Sequence, residues 1–268
     1  MVDQLVASIE PWLLFVGLFG LFLVAVEGGF RVGRRQEAGI NDKARIEITT
    51  GEAAVLGLLA LLLSFSFSMS GSRYEIQRGL VSEEANAIGT TYLRARLLPE
   101  PHRTEVAGLL REYVDVRLEF YAAGMDREKL QKAYDKTEQL HNRMWAEAVA
   151  AAEQDQRAVT TGLFVQSLND VIDLHAKRVT ALENRVPLPM FLMLVFVAAT
   201  AMGLMGYASG TTVHRNLIMT TMVALLIATI IALIVDLHRP RQGLIRVSQQ
   251  SMIDLRDSID RNTGRLSP

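Results

Sequence analysis

The chain has 268 residues, of which 50% are hydrophobic and 21% are charged. This hydrophobic share is high for a soluble protein, so we expect membrane segments wherever the charges are absent. Lys and Arg (28) nearly balance Asp and Glu (29), which removes the positive excess typical of nucleic-acid-binding proteins. Cysteine is absent, which excludes disulfides, thiolate metal sites and a cysteine nucleophile.

Four segments are long and apolar enough to cross a bilayer, which takes about 20 helical residues. Helices are expected because a spanning segment must satisfy its own backbone hydrogen bonds. Two carboxylates lie near span ends, where ion pairs of Glu27 with Arg31, and of Asp236 with Arg239 or Arg241, are favoured over proton relays. The predicted spans are residues 12–30, 53–72, 188–209 and 217–237.

The polar block between the second and third spans shows no strand-like alternation and predicts helices throughout. No proline interrupts residues 73–98, so the second span is expected to continue into water as one helix. Thr104 is expected to cap the next helix, Gly124 to end it, and Asp126 to begin a third.

The predicted fold class is therefore all-α, with four transmembrane helices and a helical aqueous domain inserted between the second and third spans. A stripe formed by Met252, Leu255 and Ile259 predicts a C-terminal helix that packs on its own domain or on a neighbour. The predicted parts are a first transmembrane pair with a basic connecting loop (1–72), the helical domain (73–187), a second transmembrane pair (188–237) and an amphipathic tail (238–268).

Motifs that carry chemistry are missing from the sequence. There is no metal-ligand spacing among the five histidines, no Gly-rich phosphate loop and no nucleophile elbow. His175 falls on an apolar helical seam, where a core histidine satisfied by a neighbour is the more common case. We therefore expect no enzyme activity, no metal and no cofactor.

The second span combines two patterns on one helix. Small residues recur at three/four spacing, which favours close helix packing. Beside them runs a row of larger side chains, Leu61, Phe65 and Met69. Repeated around a symmetry axis, this row would form an apolar constriction that can gate ions by dewetting, whereas facing lipid or a neighbouring helix it would have no such role. The small residues are Ala53, Gly57, Ala60, Ser64, Ser68 and Gly71.

Small residues in the third and fourth spans predict ordinary packing within one subunit. Beyond the second span, carboxylates near the membrane exit could attract cations, although a solvated acidic face paired with Arg78 or Arg94 is favoured. The third span carries Ala199, Gly203 and Gly206, the fourth carries Ala224, Ala228 and Ala232, and the polar residues at the exit are Glu83, Glu84 and Asn86.

Two short motifs resemble known families. Leu63-Ser64-Phe65, followed by Arg73-Tyr74 and Arg78, resembles the pore-helix region of bestrophins. The run Glu83-Glu84-Ala85-Asn86-Ala87-Ile88-Gly89-Thr90, followed by Tyr92-Leu93-Arg94-Ala95, is similar to a signature of the bacterial bestrophin-like membrane family.

Bestrophins are pentameric ion channels in which the second helix lines the pore and the domain after it is cytosolic. The resemblance implies apolar neck rings at Leu61 and Phe65, with Met69 in the same row, and a third ring at Gly57 that departs from the bulky pattern. It also implies a pore mouth, for which the candidates are Arg73, Arg78, Glu83, Glu84 and Asn86. The calcium cluster of animal bestrophins has no counterpart in the scattered Asp254, Asp257 and Asp260, so calcium gating is not expected.

The leading hypothesis is a homo-oligomeric channel for small inorganic ions in the bacterial inner membrane. The pentameric state is implied by the resemblance alone. Both termini and the helical domain share one side, and the resemblance favours the cytoplasm where the positive-inside count is split. Membrane lipid is the other expected partner, and nucleic acid is not. The alternative is a membrane-anchored helical scaffold or sensor without a conducting pore.

Overall fold

The structure, a computed structural model, describes residues 10–124, 126–155, 157–183, 188–212, 216–239 and 243–264. These residues form helices and connecting turns and contain no strand, which confirms the all-α prediction. The helices are α1 (Pro11–Gln36), α2 (Asp42–Ala95), α3 (His102–Ala122), α4 (Arg127–Gln154), α5 (Leu163–Glu183), α6 (Leu188–Gly210), α7 (Leu217–Leu237) and α8 (Gln250–Gly264).

The chain divides into two compact units. The membrane unit consists of Met1–Arg73, Arg185–Arg239 and Gly243–Ile245, and the polar unit consists of Tyr74–Asn184, Pro240–Gln242 and Arg246–Pro268.

Within the described residues, four helices are long and apolar enough to cross a membrane: α1, α2, α6 and α7. The predicted loop between the first two is mostly helical, since α1 runs on to Gln36 and α2 begins at Asp42. Asn41 begins α2 because its side-chain oxygen accepts a hydrogen bond from Ala44 N at 2.9 Å. The prediction stopped both helices at the apolar boundary, but charged residues such as Lys and Arg are themselves good helix formers.

Glycines on α1 and α6 let the backbones of these two helices come into direct contact. A Cβ added to Gly29 would lie 2.9 Å from Tyr207 N and would overlap the carbonyl of Gly203. A Cβ on Gly206 would lie 2.9 Å from Val26 Cα. The packing predicted for the third span is therefore confirmed, and it needs glycine on both helices because any side chain would keep the backbones apart.

The rest of the membrane unit packs by side chains around Phe22, Ala198 and Ile231, which are fully buried. The second span enters this core through Leu59 and Leu63.

Carboxylates at the span ends have structural partners. Glu27 accepts a hydrogen bond from Arg31 Nε at 2.9 Å, which confirms that ion pair. Asp236 is buried, and its carboxylate accepts hydrogen bonds from the backbone N–H groups of Leu244 and Ile245, each at 2.9 Å. Asp236 thus fixes the turn after α7 through peptide groups. Of its two predicted partners, Arg239 interacts with the charge of Asp236, and Arg241 lies outside the described residues.

The polar unit comprises the second half of α2 together with α3, α4, α5 and α8. The α2 helix is unbroken for 54 residues, as predicted from the absence of proline. Asp126 caps α4, accepting from Glu128 N and Lys129 N at 3.1 Å, and Gly124 turns the chain with φ 56°.

The predicted cap at Thr104 is wrong. The α3 helix begins at His102, and the Glu100 carboxylate accepts from Thr104 N at 3.3 Å and from Thr104 Oγ1 at 2.9 Å. A carboxylate at a helix start supplies the missing acceptor and also favours the positive end of the helix dipole.

The C-terminal helix packs on its own unit. Met252 and Ile259 are buried in the same core as Ile88, Leu110 and Leu140, which confirms the apolar stripe. Ion pairs at the edge join α8 to α3, with Arg111 Nε 2.5 Å from Asp260 Oδ1 and Arg256 Nε 3.5 Å from Asp115 Oδ1.

The glycine contact yields a stability prediction. Gly206→Ala places a methyl group against the Val26 backbone, and forced overpacking typically costs about 1–3 kcal/mol. The melting temperature of the detergent-solubilised protein should fall accordingly. Gly20→Ala in α1 is the matched control, because its new methyl group meets nothing within 4 Å and better helix propensity should leave the melting temperature unchanged or higher. Equal melting temperatures for the two variants would contradict the backbone contact.

Candidate functional site

The second span has two opposite faces. Leu59 and Leu63 are 1% and 7% exposed in the core of the membrane unit, whereas Leu61 and Phe65 are 52% and 66% exposed. Successive residues of an α-helix are rotated by about 100°, so Leu61 and Phe65 point away from the face that packs on the rest of the chain. Met69 lies at the edge of this exposed face and is half-buried.

The small residues of the span lie on the same exposed side. A Cβ on Gly57 would meet nothing within 4 Å, and the same holds for Gly71. Among the described residues, no other helix of the chain therefore occupies the strip. Its members Ala53, Gly57, Ala60, Ser64 and Ser68 are exposed, and Gly71 is half-buried.

Beyond the span, the residues proposed for a pore mouth separate into two groups. Arg78, Glu83 and Asn86 are exposed on α2, and Arg78 Nη1 lies 3.9 Å from Glu75 Oε1. Arg73 is half-buried. Their placement along a pore stays a prediction.

Glu84 differs from its neighbour Glu83 because it is 0% exposed. The expectation that Glu84 faces solvent, whether at a pore mouth or paired with Arg78 or Arg94, is wrong. The residue turns toward the interior of the polar unit, where two arginines supply the charge that a buried carboxylate needs.

Three side chains contact the Glu84 carboxylate. Arg117 Nε lies 2.9 Å from Oε1, and Arg178 Nη1 donates a short hydrogen bond to Oε2. The Tyr113 hydroxyl donates to Oε1 at 3.1 Å. Arg178 also donates to Gln249 Oε1 at 3.4 Å, so this cluster includes the segment that leads into α8.

The cluster sets the charge states of its members. Burial alone would raise the pKa of Glu84, but the adjacent Arg117 and Arg178 outweigh burial and hold the pKa below its ordinary value. Burial, with the carboxylate of Glu84 second, raises the pKa of Tyr113 well above its ordinary value. Glu84 is therefore ionised and Tyr113 is neutral near pH 7.

Two histidines adjoin this cluster. His141 lies against Tyr113 with ring centroids 5.1 Å apart, and His175 lies against His141 at 5.2 Å. Burial, followed by the charge of Arg117, lowers the pKa of His141 to about 4 and that of His175 to about 3. Both imidazoles are neutral near pH 7. Among the described residues, no group of three His, Asp or Glu side chains could hold a metal ion.

Sequence reasoning did not single out Tyr113, Arg117 or Arg178. One signal was present, because Arg117 follows Leu110 and Tyr113 on the apolar stripe of α3. A charged residue at a core position of an amphipathic helix predicts a buried partner of opposite charge.

A family model described as a Bestrophin-like domain matches residues 20–252. This match includes the exposed face of α2 and the buried cluster. The chain belongs to the bestrophin-like family. No curated protein matches the chain.

Solved structures of a bacterial bestrophin homologue from Klebsiella pneumoniae share the fold. One single-residue variant superposes with a TM-score of 0.71 at 17% identity, covering 93% of this chain and 99% of the homologue. A second variant gives 0.70 at 16% identity, covering 94% and 98%. A further structure of this homologue gives 0.68 at 17% identity, covering 94% and 97%. This bestrophin-like chain is thus a membrane protein with the fold of that homologue, and the likeness extends to fold alone.

The Glu84 cluster yields a second stability prediction. Glu84→Gln removes the carboxylate and leaves two buried guanidiniums without a counter-charge, a loss that typically costs about 3–5 kcal/mol. The melting temperature of the full-length protein should drop by several degrees. Glu83→Gln is the matched control, since the same change at the exposed neighbour should have little effect. Equal melting temperatures for the two variants would show that the cluster does not depend on the carboxylate of Glu84.

Proposed function

We propose that this bestrophin-like protein forms a homo-oligomeric ion channel whose α2 helices surround the conducting path. Leu61 and Phe65 of each subunit would form an apolar neck, with Gly57 as a wider third ring and Met69 at its end. Arg73, Arg78, Glu83 and Asn86 would lie at the mouth. Small inorganic ions are the proposed cargo.

The observation that carries this proposal is the composition of the exposed face of α2. Lipid would accept Leu61 and Phe65, but the same face also presents Ser64 and Ser68 beside Gly57 and Ala60. Small and hydroxyl-bearing residues favour contact with other helices or water over contact with hydrocarbon. Copies of α2 around an axis would give the small strip a neighbouring helix and would direct the larger row to the centre.

An apolar neck of this kind offers no hydrogen bonds to an ion or its hydration shell. A narrow constriction lined by Phe and Leu therefore empties of water and closes without any moving plug. Family membership supports this role, since the chain shares the bestrophin-like domain over most of its length.

The proposed domain organisation places residues 73–187 and the tail in water as a helical domain inserted between the second and third spans. The polar unit supports this placement because its helices bury one apolar core and expose charged faces. We further propose the bacterial inner membrane, with this domain and both termini on the cytoplasmic side.

The neck is tested by recording currents from the purified full-length protein in planar bilayers. Phe65→Ala should raise the conductance severalfold, because a methyl group leaves a wider and more easily wetted constriction. Phe67→Ala is the matched control, since Phe67 is exposed on the same helix but is rotated away from Phe65 and should leave the conductance unchanged.

Two results would contradict the channel. Currents that are absent from both proteins would favour the anchored helical scaffold or sensor, whereas currents that do not change in Phe65→Ala would contradict a neck at Phe65. A detergent-solubilised mass below three copies of the 29.7-kDa chain would also favour the scaffold or sensor, because fewer helices do not enclose a path.

Orientation is tested by a cysteine at the exposed Glu138 of α4, in a chain that has no other cysteine. An impermeant maleimide added to intact spheroplasts should fail to label Glu138→Cys and should label it fully after lysis. Labelling of intact spheroplasts would place the helical domain outside the cytoplasm while leaving the channel proposal standing.

A further inference from the structure

The centre of the polar unit contains a layer of inward-facing polar groups, and its charges do not balance. Among the described residues, the buried formal charges of this unit are the carboxylate of Glu84 and the guanidiniums of Arg117 and Arg178. His102, the other buried titratable group, lies apart from this layer against Glu147, at 2.7 Å. With the two neighbouring imidazoles neutral, the layer holds one more positive charge than negative charge.

The packing of α3 against α4 places the buried Thr137 beside Arg117. These helices pack antiparallel, with Tyr113 opposite His141 at 5.1 Å and Phe120 opposite Tyr134 at 5.0 Å between ring centroids. Arg117 lies one turn after Tyr113, and Thr137 lies one turn before His141. Arg117 and Thr137 therefore occupy the same level of the helix pair, and both are at least 98% buried.

His175 reaches this level from α5. Its ring lies 5.2 Å from that of His141 and 6.5 Å from that of Tyr134. These two residues lie about one helical turn after and before Thr137 on α4. Three helices thus bring polar side chains to one level of the polar unit, next to the guanidinium of Arg117.

Polar atoms of this layer lack partners. No hydrogen-bond partner among the described residues reaches Arg117 Nη1, Thr137 Oγ1, His141 Nε2 or His175 Nδ1, although all four atoms are buried. A buried donor without an acceptor costs about 1–3 kcal/mol, and more for a charged group. Four such atoms on neighbouring side chains indicate a shared small ligand.

The chemistry of the four groups selects the class of ligand. A guanidinium can only donate, and a hydroxyl and a neutral imidazole N–H can donate as well. A bridging water would satisfy some of these donors but would leave the excess positive charge uncompensated in the core. A monovalent anion accepts from all of them and neutralises the layer.

From this arrangement we infer that the polar unit holds a small monovalent anion of halide size between Arg117, Thr137, His141 and His175. The site is formed by α3, α4 and α5 of one chain. It is separate from the proposed neck of α2 and does not depend on whether that neck conducts ions.

The test measures the melting temperature of the full-length protein in detergent while bromide replaces gluconate stepwise at constant ionic strength. Gluconate is too large for an enclosed halide site. The melting temperature should rise with bromide and saturate, because a ligand that binds only the folded state stabilises it. Thr137→Val keeps the side-chain volume but removes the hydroxyl donor, and it should lose most of this bromide-dependent rise.

Thr161→Val is the matched control. Thr161 is also buried in the polar unit, but its hydroxyl donates to the Asp155 carbonyl oxygen at 2.7 Å and lies outside the layer. This variant should melt at a lower temperature yet keep the full rise with bromide. A rise that is equal in bromide and gluconate, or that survives in Thr137→Val, would overturn the anion site, because bromide bound elsewhere on the protein would give the latter result.

Anomalous scattering from crystals of the wild-type protein grown in bromide gives a second test that needs no variant. An anomalous peak beside Arg117 Nη1 and Thr137 Oγ1 is expected. Density at that position without anomalous signal would identify a water molecule and would overturn the inference.

Discussion

The structure depends on one constraint, namely that the single unbroken helix α2 contributes buried residues to two different cores. At 1.5 Å per residue, the 54 residues of α2 extend for about 80 Å. In its first half the buried face carries Leu59 and Leu63, which pack among apolar side chains. In its second half the buried residues include Glu84, which requires two arginines from other helices. In the first half, the face that carries Gly57, Leu61 and Phe65 has no partner among the described residues, so it is the part of α2 available to other copies.

Much of the membrane unit could be predicted from the sequence because the bilayer imposes strong rules. Long apolar runs locate the spans, and the small residues of the third span locate a close contact. What the sequence did not reveal was the other half of that contact. Gly29 and Gly33 face Gly203 and Tyr207 only at one rotation of α1 about its axis, and an almost uniformly apolar helix does not define that rotation.

The polar unit shows a different limit. Glu83 and Glu84 are adjacent and identical, and their surroundings differ because a helix turns by about 100° per residue. Only the position of the apolar face of α2 distinguishes Glu83 from Glu84. The buried Val81, Ala85 and Ile88 mark that face, and Glu84 lies near it. The pairing of Glu84 with Arg178 joins residues on distant helices, so no local pattern could predict it. The role proposed for Leu61 and Phe65 would likewise be a property of an assembly of chains, which one sequence does not specify.

The glycine contact between α1 and α6 also limits how the membrane unit can change shape. Side chains that interlock can exchange rotamers and let two helices slide, but α1 and α6 touch through carbonyl and amide groups that have no alternative positions. A shift of either helix along its partner would bring ordinary side chains into a space that admits only hydrogen atoms. These two helices therefore behave as a fixed frame. Conformational change within the membrane unit is therefore expected in α2 and α7, whose contacts in this core include flexible leucine and isoleucine side chains.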